Sequence, residues 1–146
     1  MAHVRKQIRD ALATAVTGLA TTGANVYTSR VYPISSASLP ALLVYTQDES
    51  SEYLTVSQPR TIMRTLTAII EIYVQGNTTY DDTIDSIAAQ VETALNDVTL
   101  SGIAKDLMIT GFTAEFSGDP DQPVATARLS IDVEYVTIEN SPEVAA

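Results

Sequence analysis

The sequence predicts an α+β fold, a two-layer sandwich in which two helices pack on one mainly antiparallel sheet. Two segments repeat apolar residues every three or four positions, as amphipathic helices do, and the longest remaining segments alternate apolar and polar residues, as half-buried strands do. Along the chain these patterns give the order α-β-β-β-α-β-β. The 146 residues are 45% apolar, which suffices for one core, so we expect a single domain over residues 1–146.

The first helix is predicted over residues 3–20. After it comes a polar stretch at 21–25, in which Gly23 can adopt the left-handed conformation that ends many helices. The apolar stripe of this helix lies on one face and consists of Val4, Ile8, Ala11, Leu12, Ala15 and Leu19.

Three strands are predicted between the two helices. The first covers residues 26–32 and stops at Pro33, the second covers 41–45, and the third covers 61–75 with one buried face. Residues 47–60 form an irregular, acidic segment that is long for a hairpin connection. Because loops of this length are usually functional or mobile, we expect a mobile loop there.

Arg64 interrupts the pattern of the third strand, since it lies on the same face as Ile62 and Leu66. A buried guanidinium without a partner is too costly to be neutral. We therefore predict that Arg64 pairs with a carboxylate, either on a neighbouring subunit or in the acidic segment, at Asp48, Glu49 or Glu52.

The second helix is predicted to begin after Thr78 or Thr79 and to end near Asn96. Asp81 and Asp82 lie in its first turn, where the helix dipole favours acidic side chains. Its apolar stripe consists of Ile84, Ile87, Ala88, Val91 and Leu95.

The last third of the chain is predicted to form a hairpin. Turn-forming residues fill 118–123, and the returning strand alternates apolar and polar residues from 125 to 135. The tail at 139–146 is polar and is expected to fray. The strand before the turn carries apolar residues that we place on one side, namely Met108, Phe112, Ala114 and Phe116.

The sequence contains no catalytic motif, and we expect neither enzyme activity, nor a bound metal, nor a cofactor. There is no cysteine, and the single histidine, His3, stands near the terminus, where we assign it a structural or incidental role. Acids at the start of the second helix are explained by its dipole. The alternation pattern of the last predicted strand places Asp132 and Glu134 on its solvent-exposed face. A small hydrolase is therefore an alternative that no motif supports.

The net charge of −10 argues against general binding to nucleic acid or anionic membranes. No segment approaches the roughly 20 apolar residues of a membrane-spanning helix. The bases are unevenly placed, because Arg5, Lys6 and Arg9 fall within the first nine residues. This cluster leaves open an alternative of another class, a DNA-contacting adaptor.

Segments in a fixed order and spacing carry a family resemblance, at residues 30–33, 39–45, 70–74, 82–92, 123–129 and 133–137. In this arrangement the chain resembles, over most of its length, the tail terminator (tail-completion, minor tail) proteins of long-tailed bacteriophages. The individual segments are ordinary strands and helices, so the resemblance rests on their order.

The resemblance implies a structural virion protein without catalytic chemistry. It would form a homo-oligomer, a hexameric ring that caps the head-proximal end of the tail tube, stops tube polymerisation and provides the surface for head–tail joining. Its partners would be the tail tube protein and a head connector or stopper protein, with DNA only passing through the lumen. It would assemble in the host cytoplasm and reside in the virion tail. The alternative in the same class is a tail tube or head-completion protein.

The acidic segment and the strand after it are the predicted subunit or tube interface. Large apolar residues in the middle of a loop often dock on a partner. We assign to this interface Asp48, Glu49, Glu52, Tyr53, Leu54, Arg60 and Arg64.

Overall fold

A computed structural model describes residues 2–23, 26–28, 40–75, 80–116 and 124–146. Within these residues it confirms the α+β class, with two helices and a six-stranded, mostly antiparallel sheet. The elements follow in the order α1 (Val4–Ala15), β1 (Val26–Tyr27), β2 (Ala41–Tyr53), β3 (Thr61–Gln75), α2 (Tyr80–Ala94), β4 (Asp106–Phe116), β5 (Val124–Ile138) and β6 (Ser141–Ala145).

The strands lie in the spatial order β1-β2-β3-β5-β4, and β6 pairs with β5. The two-residue strand β1 runs parallel to β2, whereas the other pairs are antiparallel. The two 15-residue strands, β3 and β5, pair along their whole length in the middle of the sheet. In the described part of the chain β4 therefore forms one edge of the sheet.

Both helices pack on one face of this sheet and enclose the main core. Alternation in β3 and β5 predicted the buried face of each strand, and the structure confirms it. Burying each of the larger aliphatic side chains contributes about 2 kcal/mol. The core includes Val4, Ile8 and Leu12 of α1, Ile84, Ile87 and Val91 of α2, Leu66, Ile70 and Ile72 of β3, and Leu129, Ile131, Val133 and Tyr135 of β5.

The first helix is shorter than its apolar stripe predicted, because it ends at Ala15 rather than at residue 20. Gly18 adopts a left-handed φ of 88°, which an α-helix cannot accommodate. The amide of Gly18 donates to the Gly23 carbonyl at 2.8 Å, and Gly23 is itself left-handed, with a φ of 57°. The predicted conformation of Gly23 is thus correct, but the residue closes a separate turn after the helix.

The prediction of a loop over residues 47–60 was wrong for its first half. Strand β2 continues to Tyr53, which pairs with Ile62, so the connection between β2 and β3 is confined to residues 54–60. Cross-strand hydrogen bonds to β3 are available to this polar stretch, and they outweigh its weak strand propensity.

The tail predicted to fray at 139–146 forms strand β6 over Ser141–Ala145. It pairs with the end of β5 and lies beside α1. The side-chain amide of Gln7 donates both to the Glu143 carbonyl at 2.9 Å and to the Ala2 carbonyl at 2.8 Å. The two ends of the described chain are therefore held together by one glutamine.

The second helix ends at Ala94, close to the predicted Asn96. Strand β1 is described for two residues of the predicted 26–32. Thr28 is described but lies after the end of the strand. The rest of the predicted strand (residues 29–32), the predicted caps Thr78 and Thr79, and the turn at 118–123 lie outside the described residues.

Candidate subunit interface

A β-bulge in β2 decides which side chains of the hairpin face the helices. Thr46 pairs with Ala68, but the register shifts by one residue, so that Asp48 pairs with Thr67 and Glu49 with Leu66. Because Ala68 and Leu66 both belong to the core beneath the helices, the extra residue turns Glu49 towards α1.

Glu49 is the centre of a charged cluster at the start of α1. Its carboxylate accepts from Arg5 Nη2 at 2.9 Å and from Arg64 Nη1 at 3.3 Å, and the Tyr135 hydroxyl also donates to it. The Glu49 and Arg64 side chains are only 11% and 15% exposed. Arg64 Nε additionally donates to Thr137 Oγ1 at 3.1 Å. The prediction that Arg64 pairs with a carboxylate of the acidic segment is confirmed.

The cluster holds Glu49 ionised. Burial works against the charge, but hydrogen bonds from Arg5 and Tyr135, together with the charges of Arg5 and Arg64, keep the pKa of Glu49 below its ordinary value. Burial and the hydrogen bond to Glu49 raise the pKa of Tyr135 to about 12. The cluster thus contains a stable carboxylate between two guanidinium groups and fastens α1 to three strands.

His3 has a structural role as the N-cap of α1. Its Nδ1 accepts from the backbone amide of Arg5 at 3.0 Å, which requires an unprotonated nitrogen. Burial, followed by the charges of Arg5 and Arg64, lowers the pKa of His3 and keeps that nitrogen available. Within the described residues no group of three or more His, Asp and Glu side chains is arranged to bind a metal ion.

The tip of the β2–β3 hairpin carries exposed apolar side chains. Tyr53 is 57% exposed, Leu54 is 49% exposed and Val56 is 93% exposed. The turn itself is closed by two bonds, from Leu54 N–H to the Thr61 carbonyl at 2.7 Å and from Thr61 N–H to Thr55 Oγ1 at 3.0 Å. The apolar surface is therefore presented by a hydrogen-bonded turn.

Arg60 fixes the base of this tip on its other side. Its guanidinium lies 5.3 Å from the centre of the Tyr53 ring, a cation–π distance. Arg60 Nη1 also contacts Glu139 Oε1 at 3.2 Å, and the Arg60 amide donates to Glu139 Oε2 at 2.9 Å. This arrangement connects the hairpin tip to the end of β5.

The seven predicted interface residues thus fall into three groups. Glu49 and Arg64 lie in the inward-facing cluster, where they meet each other rather than solvent. Asp48 and Glu52 are exposed along β2. Tyr53, Leu54 and Arg60 form the tip and its base. The assignment of all seven residues to a subunit or tube interface remains a prediction.

A second polar cluster on the helix-free face was not predicted from the sequence. Glu71 is buried there, and its carboxylate accepts from the hydroxyls of Tyr45 and Tyr73, each at 2.8 Å, and from Arg128 Nε at 2.7 Å. Burial and the hydrogen bond to Glu71 raise the pKa of Tyr73 to about 12. Alternation in β3 placed Glu71 on the more polar face of the strand, and no motif in the sequence indicated that this residue would be buried.

An apolar groove at the β4 edge was also missed. Alternation predicted Met108 and Phe112 on one side of the strand, and this was wrong, because a bulge after Ile109 shifts the register. Ile109 pairs with Ile131 and Phe112 with Leu129, so both face the helix layer, whereas Met108 lies on the opposite face. The resulting groove of about 410 Å³ runs between β4 and α2.

Two of the three clustered N-terminal bases are neutralised within the chain. Arg5 binds Glu49, and Lys6 Nζ contacts Asp10 at 2.6 Å across one helical turn. This arrangement weakens the DNA-contacting alternative. No helix among the described residues is long and apolar enough to cross a membrane.

The sequence matches the family model of phage minor tail protein U over residues 2–135. The chain belongs to this family. It is accordingly a structural tail protein and a component of a virion, which confirms the class that the resemblance implied. Family membership supports no catalytic role.

Among solved structures, the chain is similar to one from the virion of a native gene transfer agent particle. The sequence identity is 20%, the match covers 94% of this chain and 92% of that chain, and the TM-score is 0.48. No curated protein matches the sequence.

Proposed function

We propose that this minor tail protein acts as a tail terminator: a hexameric ring that caps the head-proximal end of the tail tube, stops its polymerisation and offers the surface for head–tail joining. The observation that carries the proposal is the hairpin tip, where three large apolar side chains are exposed on a turn held from both sides. Family membership supports the location in the tail, and the tip supplies a docking surface. Residues 1–146 act as one domain in this proposal.

A closed ring needs a heterologous contact, in which one patch of a subunit meets a different patch of the next. The tip is suited to this because Glu49 and Arg64 on one side, and Arg60 and Glu139 on the other, fix its base before any partner arrives. A preformed projection loses less conformational entropy on docking than a disordered loop does. The interface thereby gains affinity without a larger contact area.

The charge of the chain suits a ring around a passing genome. Each copy carries a formal charge of −10, and six copies in one ring multiply the field that repels phosphate groups. A negatively charged lumen at the centre of the ring would let DNA pass without binding it.

Tail tubes polymerised with and without the purified protein test the proposal. We expect tubes of limited length with one ring at a single end in electron micrographs, and a mass for the ring of six subunits. Incorporation along the whole tube would identify a tube protein instead. Binding to the head connector with no effect on tube length would identify a head-completion protein, and either result would overturn the terminator proposal.

A further inference from the structure

The groove between α2 and β4 is an unoccupied apolar surface on the described part of the chain. One wall comes from α2, where Asp85, Ala88, Ala89 and Glu92 follow the i, i+3, i+4, i+7 spacing of a single helix face. The other wall is the strand edge with Ile109 and Phe112, which are 40% and 47% exposed. Ala88 packs against the main core at the back of the groove, whereas Asp85 and Ala89 on the same face are exposed.

The groove is apolar at its floor and acidic around it. The two elements that form it, Tyr80–Ala94 and Asp106–Phe116, contain no base. Two such grooves placed face to face would bring like charges together, so a two-fold contact at this surface is disfavoured. The acids that line the groove are Asp85 and Glu92 of α2.

The hairpin tip has the complementary properties. Residues 53–60 contain one base, Arg60, and no acid, and they expose Tyr53, Leu54 and Val56. Tip and groove are thus opposite in shape, and both expose apolar surface. Because Arg60 is paired with Glu139, the tip adds no unpaired charge of the groove's sign. They lie on different elements, as the two halves of a heterologous contact must.

We propose that the hairpin tip of one subunit docks in the α2–β4 groove of the next copy of this chain, with Leu54 and Tyr53 against Ala89 and Phe112. The inference rests on the proposed ring and names the surface that receives the tip. Repetition of this single contact closes the ring. Contact between two grooves is disfavoured because each carries acidic side chains.

Cross-linking with single cysteines tests the contact, because the chain contains no cysteine of its own. Leu54→Cys and Ala89→Cys variants are mixed, assembled on tail tubes and treated with a short bis-maleimide. We expect a covalent dimer from the mixture and none from either variant alone. Val144→Cys, which is on β6 and 55% exposed, replaces Ala89→Cys as the acceptor control and should give no dimer with Leu54→Cys.

A matched pair of substitutions on β4 gives an independent measure. Phe112 and Met108 are each 47% exposed, but only Phe112 lines the groove. Phe112→Ser should weaken ring formation about tenfold or more, as loss of an interface anchor does, while Met108→Ser should leave it unchanged. Both variants should keep the melting temperature of the unmodified chain, since neither side chain is buried.

The outcomes separate this inference from the proposed function. Capped tubes without the Leu54–Ala89 cross-link, or with dimers from one variant alone, overturn the groove contact and leave the terminator proposal standing. The cross-link without any effect on tube length supports the contact and overturns capping. A protein that stays monomeric beside tail tubes contradicts both.

Discussion

At the residue scale, Glu49 is the side chain on which the most contacts depend. Its carboxylate joins Arg5 of α1 to Arg64 of β3 and Tyr135 of β5. The sequence allowed a partner for Arg64 to be predicted, because a base on an apolar face requires one. It gave no sign that Arg5 would share that partner, since helical spacing does not reveal which strand residue lies beneath an exposed base.

We predict that Glu49→Gln destabilises the fold by about 2 kcal/mol, because it leaves two guanidinium groups with a neutral acceptor. The pKa of Glu49 is lowered in the folded chain, so its contribution is fully present above the ordinary pKa of 4.5 and is lost as the pH falls through the folded value. Urea unfolding at a series of pH values should show the difference between the variant and the unmodified chain narrowing below that point.

Glu52→Gln is the control for this substitution. Glu52 lies on the same strand, is exposed, and makes no ion pair in the described part of the structure. Its replacement should change the free energy of unfolding by less than about 0.5 kcal/mol. Equal effects of the two substitutions would show that the Glu49 cluster is not a stabilising contact.

At the scale of elements, period-two alternation predicted β3 and β5 because each separates a core face from a more polar face along its whole length. The same reasoning placed Met108 wrongly and missed the direction of Glu49, because both lie next to bulges. A bulge adds one residue to one strand, and no residue type marks it in either place. The groove at the β4 edge could not be predicted for the same reason.

The hairpin tip gives the prediction at this scale. Replacing Tyr53 and Leu54 by serine should leave the melting temperature nearly unchanged, because both side chains are about half exposed. Ring formation or capping of tubes should be lost, because the tip's apolar surface is removed. Thermal unfolding and tube length measured on the same preparation check both halves.

Val98→Ser is the matched control, since Val98 is 43% exposed and lies in the segment that connects α2 to β4 in sequence. It belongs neither to the tip nor to the lining of the groove. It should neither unfold the chain nor weaken capping. An unfolded double variant would instead place Tyr53 and Leu54 in the core, and normal capping by that variant would make the tip a spacer.

At the scale of the whole molecule, the charge balance separates the tail protein from a DNA-contacting adaptor. The net charge is −10, and Arg5 and Lys6 are each bound to an acid of the same chain. We predict no shift of duplex DNA in a gel at about 0.15 M salt. A shift that weakens as salt is added would show that the N-terminal bases are free to bind phosphate and would favour the adaptor.

The contact of one glutamine with both ends of the chain has a consequence for chain connectivity. Because Gln7 reaches the carbonyls of Ala2 and Glu143 at once, a short linker can connect β6 to the start of α1 without distorting either element. New ends can then be opened at Val56, the most exposed apolar residue of the turn. Such a circular permutant would keep every core strand intact while cutting the projection in two, so folding and assembly could be studied in the same molecule as separate events.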